Sequence, residues 1–176
     1  MNLRVLIVLS LLVGIGAVLH AVAPPVIMGV KPDMLLSMMF LGIILFPKIK
    51  YVLPLSVLTG AASALTTAVP GGQISNMIDK PITALIFLGL FLLVKDIGKR
   101  TISAPILTAI GTMLSGTIFL SIILFFLGID LDDGFLVLFT TVVLPATLIN
   151  TIIMVIVYPI VQTILKRSQP LLTQQN

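Results

Sequence analysis

Apolar residues form six stretches along the 176-residue chain, and short segments that carry most of the charged residues separate them. The stretches cover residues 3–23, 34–46, 51–69, 82–94, 101–127 and 135–165. A helix that crosses a membrane needs about 20 consecutive apolar residues. The pattern therefore predicts an all-α integral membrane protein, a single domain over residues 1–176 with six transmembrane helices.

Composition supports a chain embedded in the lipid bilayer. Hydrophobic residues make up 59% of the sequence and charged residues only 9%, whereas a soluble domain has about 25% charged residues. The ten basic residues are scattered between apolar stretches, which excludes nucleic acid as a main partner. With no cysteine and a single histidine, the chain has no metal-binding pattern, and we predict neither a metal nor a cofactor. It also has no catalytic constellation, so an enzyme is not expected.

The positions of lysine and arginine predict the orientation. If the N-terminus is cytoplasmic, only Lys31 and Lys80 of the ten basic residues lie outside, so the positive-inside rule favours both termini inside. Stretches 34–46 and 82–94 are short for a membrane crossing, which leaves a model with four spans and two re-entrant segments as an alternative. Six spans are preferred because each short stretch ends in a lysine that can reach the membrane interface.

A charged cluster precedes each short stretch: Lys31-Pro32-Asp33 and Asp79-Lys80-Pro81. If short helices begin at the two prolines, their N-termini lie below the outer membrane surface and offer free N–H groups to a carboxylate. The lysines add positive charge, and Asp33 and Asp79 can hold an ammonium group. This pattern predicts a site for a zwitterion such as an amino acid. The alternative is that these are ordinary charges at a membrane interface.

The loop over residues 68–81 is a second candidate for ligand contacts. Gly71 and Gly72 free the backbone for close approach, and the amides of Gln73 and Asn76 can meet a ring N–H or a carboxylate. The alternative is a plain tight turn between helices. Phe40 and Phe87 are weaker candidates for contact with an aromatic ring, since both could face lipid.

Small residues follow one face of the first predicted helix, at Ser10, Gly14, Ala17 and Ala21. Such a face lets two helix backbones approach closely, either within this protein or in a partner. His20 lies beside it and is expected to be structural. In the last stretch, one helical line carries Thr140, Thr147, Thr151 and Tyr158. Asn150 lies beside this line near mid-membrane, which indicates hydrogen bonding between helices.

The sequence resembles the bacterial tryptophan transporter TrpP family. The resemblance covers most of residues 12–95 and rests on residues 14–21, on Lys31-Pro32-Asp33-Met34, on residues 38–48 and 63–67, and on Pro70-Gly71-Gly72-Gln73 through Asn76 to Asp79-Lys80-Pro81. The apolar C-terminal half matches only in spacing.

That family resembles the substrate-binding S components of energy-coupling factor (ECF) transporters, six-helix proteins that bind a vitamin or an amino acid on the outer side. The resemblance implies L-tryptophan uptake across the bacterial cell membrane, together with a transmembrane coupling subunit and two ATPase subunits. It also implies that Gly14, Ala17 and Ala21 contact the coupling subunit. Open alternatives are an S component for another small aromatic or vitamin ligand, a stand-alone ion-coupled carrier, a scaffold without ligand, and an intramembrane enzyme.

Overall fold

The structure, a computed structural model, describes residues 2–24, 30–96, 100–131 and 133–168. Over these residues the chain forms six helical rods. The α-helices are α1 (Leu3–Val22), α2 (Met34–Leu45), α3 (Ile49–Thr66), α4 (Gly72–Val94), α5 (Arg100–Ser121), α6 (Phe135–Leu138) and α7 (Leu144–Ser168). A π-helical segment, Ile122–Phe126, extends α5, and another, Phe139–Val143, joins α6 to α7 in one rod.

Five of the six rods are long and apolar enough to cross a membrane. The exception is α2, whose 12 residues give a length of only about 18 Å. The all-helical architecture and the short second helix agree with the sequence analysis.

The short helix α2 lies at the centre of the bundle. Ten of its twelve residues are buried, and it packs against α1, α3, α4, α5 and α7. A helix that is apolar on every side is buried in a protein core or surrounded by lipid, and α2, too short to span the bilayer, is buried by its neighbours. It begins at Asp33, whose carboxylate accepts a hydrogen bond of 2.9 Å from the backbone N–H of Leu36 and so caps the helix.

Phe40 and Phe87 stack in this core, contrary to the expectation that they face lipid or a ligand. Their rings are nearly parallel, with centroids 4.1 Å apart and an interplanar angle of 8°. Both side chains are fully buried. Gly111 of α5 leaves room for them, since a Cβ there would lie 2.7 Å from Phe40 Cζ. The pair therefore joins α2, α4 and α5.

The predicted start of the fourth helix is wrong. Helix α4 begins at Gly72, ten residues before the expected start, and Pro81 lies inside it. Gly71 precedes the helix with φ of 73°, a conformation that favours glycine. The following polar residues continue the helix because Asn76, Asp79 and Lys80 are buried against neighbouring helices. No recessed helix N-terminus therefore exists at Pro81.

One end of the bundle gathers the end of α1, the start of α2, the end of α3 and the start of α4. We call this the cavity end. Asn2 and Tyr51 mark the opposite end, where the backbone N–H of Asn2 donates to the Tyr51 hydroxyl at 3.2 Å. This hydrogen bond shows that α1 and α3 start together and run in the same direction.

Candidate ligand-binding site

A cavity of about 490 Å³ lies at the cavity end and is bounded by every rod of the bundle. Its volume falls in the range of about 300–1,000 Å³ that is typical of small-molecule sites. One part of the wall is polar and another is apolar. The polar lining residues are His20, Lys31, Asp33, Ser63, Thr66, Thr67, Asn76, Lys80, Thr112 and Ser115. The apolar lining residues include Phe119, Leu120, Leu138, Val142 and Val143.

Four polar residues, which we call the ion cluster, lie at or directly behind the polar wall: the partly buried Asp33 and the buried Asp79, Lys80 and Ser115. The ammonium of Lys80 lies 3.1 Å from Asp33 Oδ2, 3.0 Å from Asp79 Oδ2 and 3.2 Å from Ser115 Oγ. The hydroxyl of Ser115 in turn donates to Asp79 Oδ2 at 2.6 Å. The cluster thus links the start of α2 to α4 and α5.

The N–H donors of Lys80 and the net charge of the ion cluster indicate which ligand group the cluster can bind. A lysine ammonium has three N–H donors, and three acceptors surround that of Lys80. With both carboxylates ionised and His20 neutral, the two carboxylates and one ammonium carry a net charge of −1. The cluster is therefore suited to a cation more than to a carboxylate.

The two carboxylates of the cluster differ in access. The Asp79 side chain is fully buried and does not line the cavity. Its Oδ1 accepts from the Thr83 hydroxyl at 2.7 Å, so both of its oxygens are engaged. Asp33 lines the cavity with a quarter of its side chain exposed, and its backbone N–H donates to Asn150 Oδ1 at 3.0 Å. Asp33 is the carboxylate that a ligand can reach.

The structure brings together four of the six residues that the sequence suggested for ligand binding. Lys31, Asp33, Asn76 and Lys80 line one cavity, although Asn76 also holds its own helix through a 2.8 Å hydrogen bond to the Gly72 carbonyl. Asp79 lies behind Lys80. Gln73 is exposed in the first turn of α4 and does not line the cavity.

Two polar atoms at the cavity are buried without a hydrogen-bond partner among the described residues: His20 Nδ1 and Ser63 Oγ. His20 Nδ1 lies 3.9 Å from Asp33 Oδ1, which is too far for a hydrogen bond. His20 Nδ1 thus lies near Asp33 without a hydrogen bond to it, and the expectation that His20 is structural stays a prediction. A buried polar atom without a partner is costly and calls for an explanation.

The sequence analysis did not identify the polar residues that α5 contributes to the cavity. Thr108, Thr112 and Ser115 are buried and follow one another at spacings of four and three residues, which places them on one helix face. Their periodicity was the signal that could have identified a polar inner face. Asn150 meets this face across the bundle, with its Nδ2 3.4 Å from Thr112 Oγ1, which confirms hydrogen bonding between helices at that position.

The small residues of α1 differ in their surroundings, because Ala21 lines the cavity and Gly14 and Ala17 do not. Gly14 and Ala21 are exposed and Ala17 is half-buried, and a Cβ on Gly14 would meet nothing within 4 Å. By contrast, Gly16 packs closely against Met38 of α2. Packing inside this protein therefore does not account for Gly14.

These features define a multi-pass helical membrane protein with a charged cavity of small-molecule size. A family model described as "Tryptophan transporter TrpP" matches residues 2–166. The chain belongs to this family and is therefore a transport protein of a bacterial membrane.

Relatives from three bacteria match along almost the whole chain. A "Probable tryptophan transport protein" of Bacillus subtilis (strain 168) is 53% identical over 168 residues, which cover 96% of each chain. A protein with the same description in Clostridium acetobutylicum is 41% identical, and the match covers 90% of this chain and 91% of the relative. Another in Clostridium perfringens is 35% identical, and the match covers 95% of this chain and 96% of the relative. No solved structure matches significantly.

Proposed function

We propose that this protein binds L-tryptophan in the cavity and mediates its uptake, as the substrate-binding S component of an ECF-type transporter. The observation that carries the proposal is the pairing, in one cavity, of an ion cluster with a net negative charge and an apolar wall. An amino acid with a large aromatic side chain matches both walls. The transport family to which the chain belongs supports the same ligand.

The ammonium group of the ligand is assigned to Asp33. This carboxylate lines the cavity and belongs to a cluster that needs one further positive charge. An ammonium between Asp33 Oδ1 and His20 Nδ1 could donate to both, since these atoms are 3.9 Å apart and neither bonds to the other. Asp79 supports the site indirectly, by holding Lys80.

The carboxylate of the ligand is assigned to Lys31, not to Lys80. Lys31 is exposed and lines the cavity, whereas the donors of Lys80 are directed at three acceptors of the ion cluster. The aromatic ring is assigned to the apolar wall around Phe119 and Val142. Gln73 receives no role, because it is exposed outside the cavity.

A panel of ligands tests this function on the purified protein. Tryptophan should raise the melting temperature more than tryptamine, which lacks the carboxylate, or indole-3-propionate, which lacks the ammonium, because ligand binding stabilises the folded state. Phenylalanine and small vitamins complete the panel and test the alternative ligands. A shift with a vitamin and none with tryptophan would refute the tryptophan assignment.

The coupling subunit is proposed to contact α1 along Gly14, Ala17 and Ala21. Replacing Ala17 with leucine should separate the helix backbones and abolish both uptake and co-purification of the coupling subunit, while tryptophan binding persists. Ile15→Phe is the matched control, because Ile15 is 42% exposed on the same helix and lies about 100° around the axis from Gly14, away from the stripe. Normal uptake by Ala17→Leu would contradict this interface.

A stand-alone ion-coupled carrier is the second candidate, and the buried carboxylates favour it. Ionisable groups inside a membrane protein often mark an ion or proton pathway, and the ion cluster has one uncompensated negative charge. Proteoliposomes that contain this chain alone separate the two candidates. Accumulation of tryptophan driven by a proton or sodium gradient would favour the carrier, and its absence favours the S component.

A further inference from the structure

Ser63 differs from the other hydroxyl residues of α3. Ser56, Thr59 and Thr66 each donate a hydrogen bond to a carbonyl oxygen three or four residues earlier in the helix. The Ser63 hydroxyl has no such bond and no other partner in the described part of the chain, although the residue is only 3% exposed. Ser63 thus has a buried polar atom whose bonding capacity is unused.

The same contrast holds around the cavity. Five residues that line it carry a hydroxyl group, and those of Thr66, Thr67, Thr112 and Ser115 all take part in hydrogen bonds. Only Ser63 among these five does not. Leaving a polar group buried and unpaired is unfavourable, so a ligand that supplies the missing partner gains affinity at this position.

The packing of α3 on α4 gives the depth of Ser63. A Cβ on Gly60 would lie 3.5 Å from Lys80 Cβ, and a Cβ on Gly72 would contact Thr67. Ser63 lies between Gly60 and Thr67 in the sequence, so it is about one helical turn, roughly 5 Å, nearer to the cavity end than Lys80. Ser63 therefore lies between the level of Lys80 and the cavity end, at the wall of the cavity that it lines.

We propose that the Ser63 hydroxyl accepts a hydrogen bond from the ring N–H of the bound ligand and so selects an indole over an aromatic ring without this donor. The inference rests on the proposed function, since it assumes that tryptophan occupies the cavity. Asp33 and Lys31 already match the two charged groups of the ligand. The indole N–H is the remaining donor, and a neutral hydroxyl that can accept is its chemical complement.

The test compares two ligands that differ at one ring atom. In 3-benzothienylalanine a sulfur atom replaces the indole N–H, while the amino-acid part is unchanged. Ser63→Ala should weaken tryptophan binding about 2- to 10-fold, the range of one neutral hydrogen bond, and leave the analogue unchanged. Ser63→Thr retains the hydroxyl and should restore part of the preference for tryptophan.

Ser37→Ala provides the matched control. It removes another buried hydroxyl without a partner, but from the core face of α2, outside the cavity. This variant should keep the wild-type ratio of the two affinities. The inference would be overturned if Ser63→Ala lost equal affinity for both ligands or lost none. It would also be overturned if Asn76→Ala lost affinity for tryptophan selectively while Ser63→Ala did not. If wild-type protein binds the analogue and tryptophan equally, the inference fails while the proposed function stands. If it binds neither, both fail.

Discussion

Replacing Asp33 with asparagine is expected to weaken tryptophan binding selectively. The change keeps the size of the side chain and an oxygen that can cap α2 at Leu36. It removes one negative charge, so Asp79 and Lys80 remain as a neutral pair and the cluster no longer attracts an ammonium group. The binding of a cation, not the folding of the helix, is therefore the property that changes.

The size of the effect follows from the kind of contact that is lost. A hydrogen bond to a charged group contributes about 1.5–3 kcal/mol, and 1.4 kcal/mol corresponds to a tenfold change in affinity. Asp33→Asn should therefore weaken tryptophan about 10- to 150-fold. Indole-3-propionate, which has no ammonium group, should lose little or none of its affinity.

The sequence offers a convenient assay, because the chain contains no tryptophan. Fluorescence anisotropy of the ligand itself can therefore be followed without indole emission from the protein. Asp79→Asn is the matched control: it removes the same charge from the cluster but at a residue outside the cavity lining. Melting curves without ligand show whether each variant remains folded.

Two results would refute the assignment of Asp33. Equal losses for tryptophan and indole-3-propionate would mean that Asp33 supports the shape of the cavity and does not meet the ammonium. A selective loss that is larger in Asp79→Asn than in Asp33→Asn would mean that net charge, and not contact with the ligand, governs binding.

Two further predictions concern the lysines and the topology. Lys80→Ala should lower the free energy of unfolding by about 3–5 kcal/mol, measured by melting, because it leaves the buried Asp79 and the partly buried Asp33 without their partner. Exposed Lys31→Ala should leave melting nearly unchanged and weaken tryptophan more than tryptamine, and equal losses would contradict its role. A single cysteine that replaces Gln73 should react with an impermeant thiol reagent from outside the cell, and one that replaces Ile49 should react only after permeabilisation. The chain contains no cysteine, so there is no background labelling. The reverse pattern would refute the cytoplasmic N-terminus.

The start of α4 shows why hydropathy alone misplaced a helix boundary. Residues 72–81 contain amides, charges and a proline, which resemble a loop when each residue is judged by its own polarity. In the structure these residues continue the helix because Asp79 and Lys80 find partners on α2 and α5. A hydropathy profile cannot register partners that are 35 or 47 positions away in the sequence.

The short helix α2 was easier to predict. Its apolar stretch is bounded by Asp33 and Pro47, and both boundaries are local signals of helix ends. The cap that Asp33 provides to Leu36 involves only neighbouring residues, so the sequence contains everything needed to place it. The helix start beside Asp33 could therefore be predicted locally, whereas the contact of Asp33 with Lys80 required the packed helices.

His20 and Ser63 were not predictable as cavity residues, because nothing distinguishes them locally. Histidine and serine in an apolar helix normally satisfy their polar atoms through nearby backbone or side-chain groups. Only the packed bundle shows that Ser56 and Thr66 do so and that Ser63 does not. Whether a buried hydroxyl group has a hydrogen-bond partner depends on the folded structure and cannot be predicted from the residue type alone.

The ion cluster explains how one group of residues can serve both stability and binding. Lys80 holds Asp33 and Asp79 together, which makes the burial of two carboxylates tolerable and joins α2 to α4. With both carboxylates ionised, the same pairing leaves a net charge of −1, and of the two carboxylates it is Asp33 that reaches the cavity. An ammonium group bound there completes the charge balance, so ligand binding should also stabilise the junction between α2, α4 and α7, which Asp33 shares through Asn150. Binding of the proposed ligand at Asp33 should therefore also stabilise the packing of the helices at the cavity end.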